Sequence, residues 1–295
     1  MKFAVLAAPD SWYYRDLARA GSAKHVVEVR SFSELSAAID GNGYHLRSAG
    51  IDLCDVDAVI VRTMPPGSLE QVVFRMDALA RLEASGVPVV NSPRSLEAAV
   101  DKFLSTTKLC EAGLPVPRTI VCQTTDDAMM AFEQLGSDVV LKPLFGGEGR
   151  GITRLADESL ALRAFQMLTQ LNAVLYLQEF VPHLGYDIRL FVLGERVFGM
   201  KRVNHLDWRT NVSRGAVTEP FEVDDRHAEM ARLAARSVGA MIAGVDILPA
   251  RDGREFVLEV NAVPGWKALA RTLNIDIAQM ILEIVAEMAR QRKGS

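Results

Sequence analysis

Along the first third of the chain, short apolar runs alternate with longer stretches in which apolar positions recur at helical spacing. This pattern predicts strands at Phe3 to Ala7, Val26 to Val29, Ala58 to Val61 and Val87 to Val90, with helices near Tyr14 to Ala20 and Leu69 to Ser85. Such alternation favours a mostly parallel sheet, whose strands need crossover helices to reach one another. A helical stretch from Ser95 to Ala112 follows Asn91-Ser92-Pro93, and Gly113, Pro115 and Pro117 stop it and mark a connection. The middle third predicts a strand at Val139 to Lys142, a glycine-rich loop at Phe145 to Gly151, a helix around Ser159 to Leu171 and a strand at Val174 to Phe180, together a small α+β unit. The last third predicts a hairpin at Ile188 to Val203, a helix at Arg226 to Met241, strands at Gly244 to Leu248 and Phe256 to Val260, and a closing helix from Ile275 to about Arg290.

Composition narrows the classes. A chain of 295 residues exceeds one average domain, so two or three packed modules with a cleft between them are expected. Apolar residues make up 49% and charged residues 24%, which argues against a mainly disordered chain. A net charge of -4 gives no electrostatic case for nucleic acid. The one basic cluster, Arg290, Arg292 and Lys293, closes the last predicted helix, where cations favour the dipole. Three cysteines, Cys54, Cys110 and Cys122, lack the close pairing of a zinc site or disulfide framework and fit a reduced, cytoplasmic setting. The N-terminal apolar run reads as a strand rather than a signal peptide, and no stretch approaches the ~20 apolar residues of a membrane span.

Candidate chemistry sits on strands and the loops beside them. In Glu255 to Ala262, side chains two apart share a face, so Glu259 and Asn261 project together and offer oxygens to a hard cation. Asp246 interrupts an apolar run on the preceding strand, where an unpaired carboxylate would be costly. If the two strands pair, three oxygen ligands converge; a structural polar network is the bland alternative. Lys142 directly precedes the loop containing Gly146, Gly147, Gly149 and Gly151, which can bring backbone amides close to phosphate, and Lys102 is a second candidate cation. The loop is neither G-x-G-x-x-G nor a P-loop, so neither a dinucleotide fold nor a P-loop NTPase is supported. With Gly194 and Glu195 as the hairpin turn, Asp187 falls opposite Arg202, and Arg189 shares their face. Two arginines need more anion than one aspartate, and a triphosphate or acyl phosphate would supply it. Arg209, Thr210 and Asn211 form a polar loop downstream, whereas the five histidines show neither metal spacing nor a nucleophile partner.

Taken in order, Val100-Asp101-Lys102, Val140-Leu141-Lys142-Pro143, Gly146 to Gly151, Gln178-Glu179-Phe180, Asp187-Ile188-Arg189, Arg209-Thr210-Asn211, Gly244 to Leu248 and Glu259 to Gly265 resemble the RimK-type branch of the ATP-grasp ligases. The similarity runs from about Asn91 to Ile281. It implies an α/β and α+β multidomain protein of the ATP-grasp fold: a parallel α/β pre-ATP-grasp domain at 1–92, a central lid domain at 93–181 and a C-terminal domain at 182–295. By the same resemblance Lys102 and Lys142 hold the nucleotide phosphates, Gln178, Glu179, Phe180 and Val181 line the adenine pocket, and Asp187 faces the ribose. Arg209, Thr210 and Asn211 meet the phosphates and the acyl group, Arg189 or Arg209 stabilises an oxyanion, and Asp246, Glu259 and Asn261 bind two magnesium ions, with manganese as a substitute. The return strand is one residue shorter than the family's between turn and arginine, which leaves Lys201 and Arg202 both open to that role; strand parity favours Arg202.

The resemblance implies ATP-dependent amide formation through an acyl phosphate, with ATP, L-glutamate and a small-molecule carboxylate as reactants. The segments Ser11 to Leu17 and Gly67 to Asp77 look closer to glutamate ligases acting on pterin-type one-carbon carriers than to the ribosomal-protein modifier. The lysine-biosynthesis ligase and protein-tail glutamylation follow as alternatives. A non-catalytic nucleotide sensor and a simple small-molecule kinase are the competing classes. Family members often assemble, so a homo-oligomer built on the N-terminal helices is a further expectation.

Overall fold

The computed structural model describes residues 1–41, 43–147 and 149–294, the last three of these by their backbone. Glu148 of the glycine-rich loop and the side chains of Arg292 and Lys293 lie outside the described residues. At the N-terminal end, four parallel strands run in the order Val26–Arg30, Lys2–Leu6, Ala58–Val61, Val89–Val90. The helices Trp12–Gly21 and Leu69–Ala84 flank them, the second started by a reciprocal cap between Ser68 and Gln71. An antiparallel meander, Ser36–Asp40, Gly43–Ser48 and Ile51–Asp52, is inserted between the second and third of these strands in sequence. The hydrophobic pattern missed it because its first strand is exposed along its whole length and buries no face.

The middle of the chain builds an antiparallel sheet in the order Thr153–Leu155, Val139–Lys142, Leu175–Glu179, Thr119–Cys122. Helices Thr125–Gln134 and Glu158–Gln170 cover one face through Phe132 and Phe165. The stretch expected as one helix from Ser95 to Ala112 is instead two, Pro93–Val100 and Lys102–Glu111. Asp101 breaks it: its side chain accepts from the backbone of Phe103 at 2.8 Å and Leu104 at 3.0 Å, capping the second helix. Both helices contribute to the core of the C-terminal sheet, through Leu96 and Leu109.

That third sheet is antiparallel, in the order Val217–Phe221, Arg196–Val203, Tyr186–Leu193, Ile242–Pro249, Glu255–Asn261. Period-two alternation divides its central strand between two cores. Ile188, Leu190 and Val192 pack toward Ala231, Ala234 and Ala235 of the helix Asp225–Ser237. Phe191 and Leu193 pack with Ile281, Leu282 and Val285 of the helix Ile277–Gly294 and with Phe3 and Val5 of the N-terminal sheet. The helix Asp225–Ser237 ends four residues short of the expected Met241, because Gly239 takes a left-handed conformation with φ of 72° and turns the chain.

Candidate active site

Register decides which polar side chains meet on the C-terminal sheet. Asp187 pairs with Arg202, Arg189 with Asp246, and Asp246 with Glu259, so that four charged residues and a fifth line up across three pairs of strands. Arg202 donates to both oxygens of Asp187, at 2.7 and 2.5 Å, and lies 2.8 Å from Asp246. Arg189 donates to Asp246 at 2.5 Å, and Thr210 donates its hydroxyl to Asp187 at 2.6 Å. The second anion that two arginines required is therefore Asp246 from the neighbouring strand, which corrects the expectation that a phosphate must supply it. Lys201, one residue away, turns to the other face against the rings of Tyr186 and Phe221, so parity places Arg202 in the network.

Burial sets the proton affinities here and the ion pairs oppose it. Burial raises Asp246, but the charges of Arg189 and Arg202 outweigh it and hold the carboxyl below its ordinary range. For Asp187 the balance reverses, and burial keeps its carboxyl raised despite Arg202. Burial would lower Arg202, yet the two aspartates hold it above its ordinary value. Gly244 makes this crowding feasible: a Cβ there would lie 2.5 Å from the guanidinium of Arg189.

The two lysines approach from the other side. Lys142 ends the strand Val139–Lys142 and donates to Gln178 Oε1 at 2.6 Å; Gln178 in turn donates to Thr119 at 2.9 Å. Burial pulls the Lys142 ammonium down to a pKa of about 8, although Glu259 acts to raise it. Lys102 is also lowered by burial, with Glu259 opposing, and donates to the carbonyl of Gly146 at 2.6 Å. The glycine-rich loop reaches the polar loop downstream: Gly149, at φ of 71°, lies against Asn211, and a Cβ on it would collide with that side chain. Arg214 donates to the Gly149 carbonyl at 3.4 Å.

Between these groups opens a cavity of about 700 Å³, counted with its mouth. Its wall combines apolar side chains, Val140, Ile152, Phe180, Val181, Leu248 and Leu258, with polar ones, Lys142, Gln178, Asp187, Arg202, Arg209, Thr210, Asn211, Asp246 and Glu259. Glu179 also lines it and accepts from the Arg118 backbone at 2.9 Å. Arg209 is paired with Asp207 at 2.7 Å and donates to the Ile152 carbonyl at 3.3 Å. Lys102, Gly146, Gly147, Gly149, Gly151, Arg189 and Asn261 are not in its wall; Arg189 stands behind Asp246, and Asn261 Oδ1 accepts from Val263 at 2.8 Å.

Sequence reasoning passed over Trp208, His183 and the aliphatic wall. Trp208 packs edge-on to Phe180 at 5.8 Å. His183 lines the cavity and its ring is lowered in pKa by burial, although no histidine spacing marked it. Leu248, two residues beyond Asp246, was available from alternation alone. Leu258 was not: a bulge shifts the pairing from Asp246 with Glu259 to Ile247 with Val257, which turns Leu258 and Glu259 toward the same cavity.

A divalent cation suits this donor set. Among the described residues no three His, Cys, Asp or Glu side chains gather as a metal cluster, and the candidate donors expected from the sequence are two carboxylates, Asp246 and Glu259, and the amide oxygen of Asn261. Glu259 has no ion-pair partner among the described residues and lies across from Asp246. Magnesium keeps waters and substrate oxygens in its shell and needs few protein ligands.

The family model for a RimK-like ATP-grasp domain matches residues 99–285. The chain is 33% identical to the tetrahydromethanopterin:α-L-glutamate ligase of Methanosarcina acetivorans, over 95% of this chain and 96% of that protein. It is 32% identical to the α-aminoadipate–LysW ligase LysX of Saccharolobus solfataricus, over 71% of this chain and 78% of that one. Its fold is similar to the ATP-grasp ligase PsnB solved with minimal precursor, Mg and ADP, with a TM-score of 0.76, 23% identity and 97% of each chain covered. The chain therefore belongs to the RimK-like ATP-grasp family and is an ATP-grasp ligase.

Proposed function

We propose that this ligase joins L-glutamate to the carboxylate of a small-molecule acceptor of the pterin-type one-carbon class, in the cytoplasm, with ATP and two magnesium ions. The observation that carries the ligase chemistry is the opposition of Asp246 and Glu259 across paired strands, on the wall of a cavity that Lys142 also lines. The apolar side chains of the wall, Phe180 and Val181 among them, suit a purine, and the polar ones suit phosphates. Relatives named for tetrahydromethanopterin and α-L-glutamate support the choice of substrates.

In this reading Asp246, Glu259 and Asn261 hold the magnesium, which when bound offsets charge on the transferring phosphoryl group. Lys142 and Lys102 bind the nucleotide phosphates. The acceptor carboxylate attacks the γ-phosphorus, releasing ADP and leaving an acyl phosphate. The glutamate amine attacks the activated carbonyl, and Arg209, which lines the cavity as Arg189 does not, stabilises the tetrahedral oxyanion until phosphate departs. Asp187 holds Arg202 and Thr210 in place beside the ribose. The units divide at 1–92, 93–181 and 182–295, with the antiparallel sheet of 119–179 as the part that closes. Self-association uses the helix Leu69–Ala84, which leaves Leu69, Val73 and Phe74 exposed.

Incubation with ATP, L-glutamate and a panel of acceptors, followed by mass spectrometry, tests this. A pterin-type acceptor should gain one or more glutamyl residues with matching phosphate release. Mass gained only by a carrier protein with α-aminoadipate, or only by a protein tail, would replace the acceptor. ATP binding without turnover would mark a sensor, and phosphorylated acceptor without an amide would mark a kinase.

A further inference from the structure

A second, smaller cavity lies where the N-terminal sheet meets the strand Ile242–Pro249 and the segment after Asn261. It measures about 220 Å³ with its mouth, and its polar wall residues are Arg62, Asn91 and Trp266. Asn91 has spent its amide: Nδ2 donates to the carbonyls of Ile242 at 2.7 Å and Ala262 at 2.5 Å, and Oδ1 accepts from Met241 at 2.9 Å and Ile242 at 3.0 Å. Trp266 gives its indole N–H to Asp16 at 2.9 Å. Arg62 still has a donor to give. Only 6% exposed, it donates Nη2 to the Pro264 carbonyl at 2.7 Å, while its buried Nε has no hydrogen-bond partner.

The guanidinium lies 4.8 Å from the ring centre of Tyr13 and 4.4 Å from that of Trp266, and among the described residues no carboxylate pairs with it. Arg189 and Arg202, by contrast, each rest on aspartates. Burial pulls the pKa of Arg62 down to about 10, with only Tyr13 opposing. A buried cation without an anion is costly, and the cost is met when a ligand brings the anion.

Its location suits a substrate. The parallel strands run outward from Lys2–Leu6 to Val26–Arg30 on one side and to Ala58–Val61 on the other, so the crevice at the carboxyl ends of Lys2–Leu6 and Ala58–Val61 is the switch point where open α/β sheets hold ligands. Arg62 is the first residue beyond Ala58–Val61. Its partner Pro264 stands three residues past Asn261, a chain span of at most roughly 10 Å. Tyr13 and Asp16, which frame the site, belong to the segment Ser11 to Leu17 that the nucleotide chemistry leaves unexplained.

We propose that Arg62 binds a carboxylate of the amine substrate that takes no part in bond formation, and so aims the amino group toward the Glu259–Asn261 strand end. The proposal rests on the ligase reading above, in which an amino acid keeps its own carboxylates when its nitrogen is acylated. A strut that merely ties the N-terminal sheet to Pro264 would affect every amine donor alike.

The test is steady-state kinetics of wild type, R62K and R62M with L-glutamate and with its α-amide and γ-amide as donors. The KM for L-glutamate should rise at least tenfold in R62M and less in R62K, while the KM for ATP stays within twofold. One of the two amides should cost the wild type a similar factor and cost R62M little more. An unchanged KM for L-glutamate, a rise confined to the acceptor, or an equal loss for all donors would overturn the assignment. If R62M does not fold, calorimetric titration of nucleotide-free wild type decides: L-glutamate binding at least tenfold tighter than its diamide supports the site, and equal binding refutes it. That titration needs no turnover, so its failure is distinct from an absence of glutamate-dependent phosphate release, which would refute the ligase reading instead.

Discussion

Glu259 is a carboxylate on the cavity wall with no ion pair among the described residues, although Lys102 and Lys142 feel its charge, and it is free to take an ion. Glutamine keeps its shape and removes its charge. Glu259→Gln should lower turnover by on the order of a hundredfold or more, with the melting temperature nearly unchanged, as phosphate release and a thermal melt would report. Lys142 makes a different prediction. Its free-enzyme pKa of about 8 means the ammonium is present below that pH and lost above it. ATP affinity should therefore weaken as pH rises through 8, and Lys142→Arg, which stays charged, should remove that inflection from a series of binding titrations. A flat profile in the wild type would show that Lys142 is not a phosphate ligand.

At the scale of elements, the hairpin Tyr186–Leu193 with Arg196–Val203 and the neighbouring strand Ile242–Pro249 carry a nearly closed charge network: Asp187 and Asp246 against Arg189 and Arg202. Removing one member leaves a buried charge unmatched. Arg202→Met should cost about 3–5 kcal/mol in urea unfolding, a much larger loss than from Arg254→Met, whose partner Asp252 is exposed. Alternation and one two-residue turn made the pairing of Asp187 with Arg202 legible in the sequence, because parity allows only one face for Asp187, Arg189 and Arg202; the part played by Asp246 was not, because it depends on which strand pairs on the other side. What parity cannot show is a change of count. The bulge at Leu258, the break at Asp101 and the exposed meander from Ser36 each depend on local hydrogen bonding or on a missing buried face, and neither leaves a periodic trace.

Across the whole molecule, the site is assembled from segments far apart in sequence: Lys102 and Lys142, the loops around Gly149 and Asn211, and the strands that bear Asp246 and Glu259. Their order was readable as a set of motifs, but contacts such as Asn211 on Gly149, or Arg62 between Tyr13 and Trp266, arise only when separate units dock. Ligand binding should tie these units together. Magnesium with ATP at a hundred times its Kd should stabilise the fold by about 2.7 kcal/mol, and a chelator added with the same ATP should remove most of that gain in a calorimetric scan. The position of the metal tests the ligase chemistry most directly. A crystal grown with manganese and a non-hydrolysable ATP analogue should show anomalous peaks within about 2.0–2.3 Å of oxygens from Asp246, Glu259 and Asn261, touching the terminal phosphates as well. Peaks at some other set of side chains, with Asp246 still locked to Arg189 and Arg202 and Glu259 facing water alone, would contradict it.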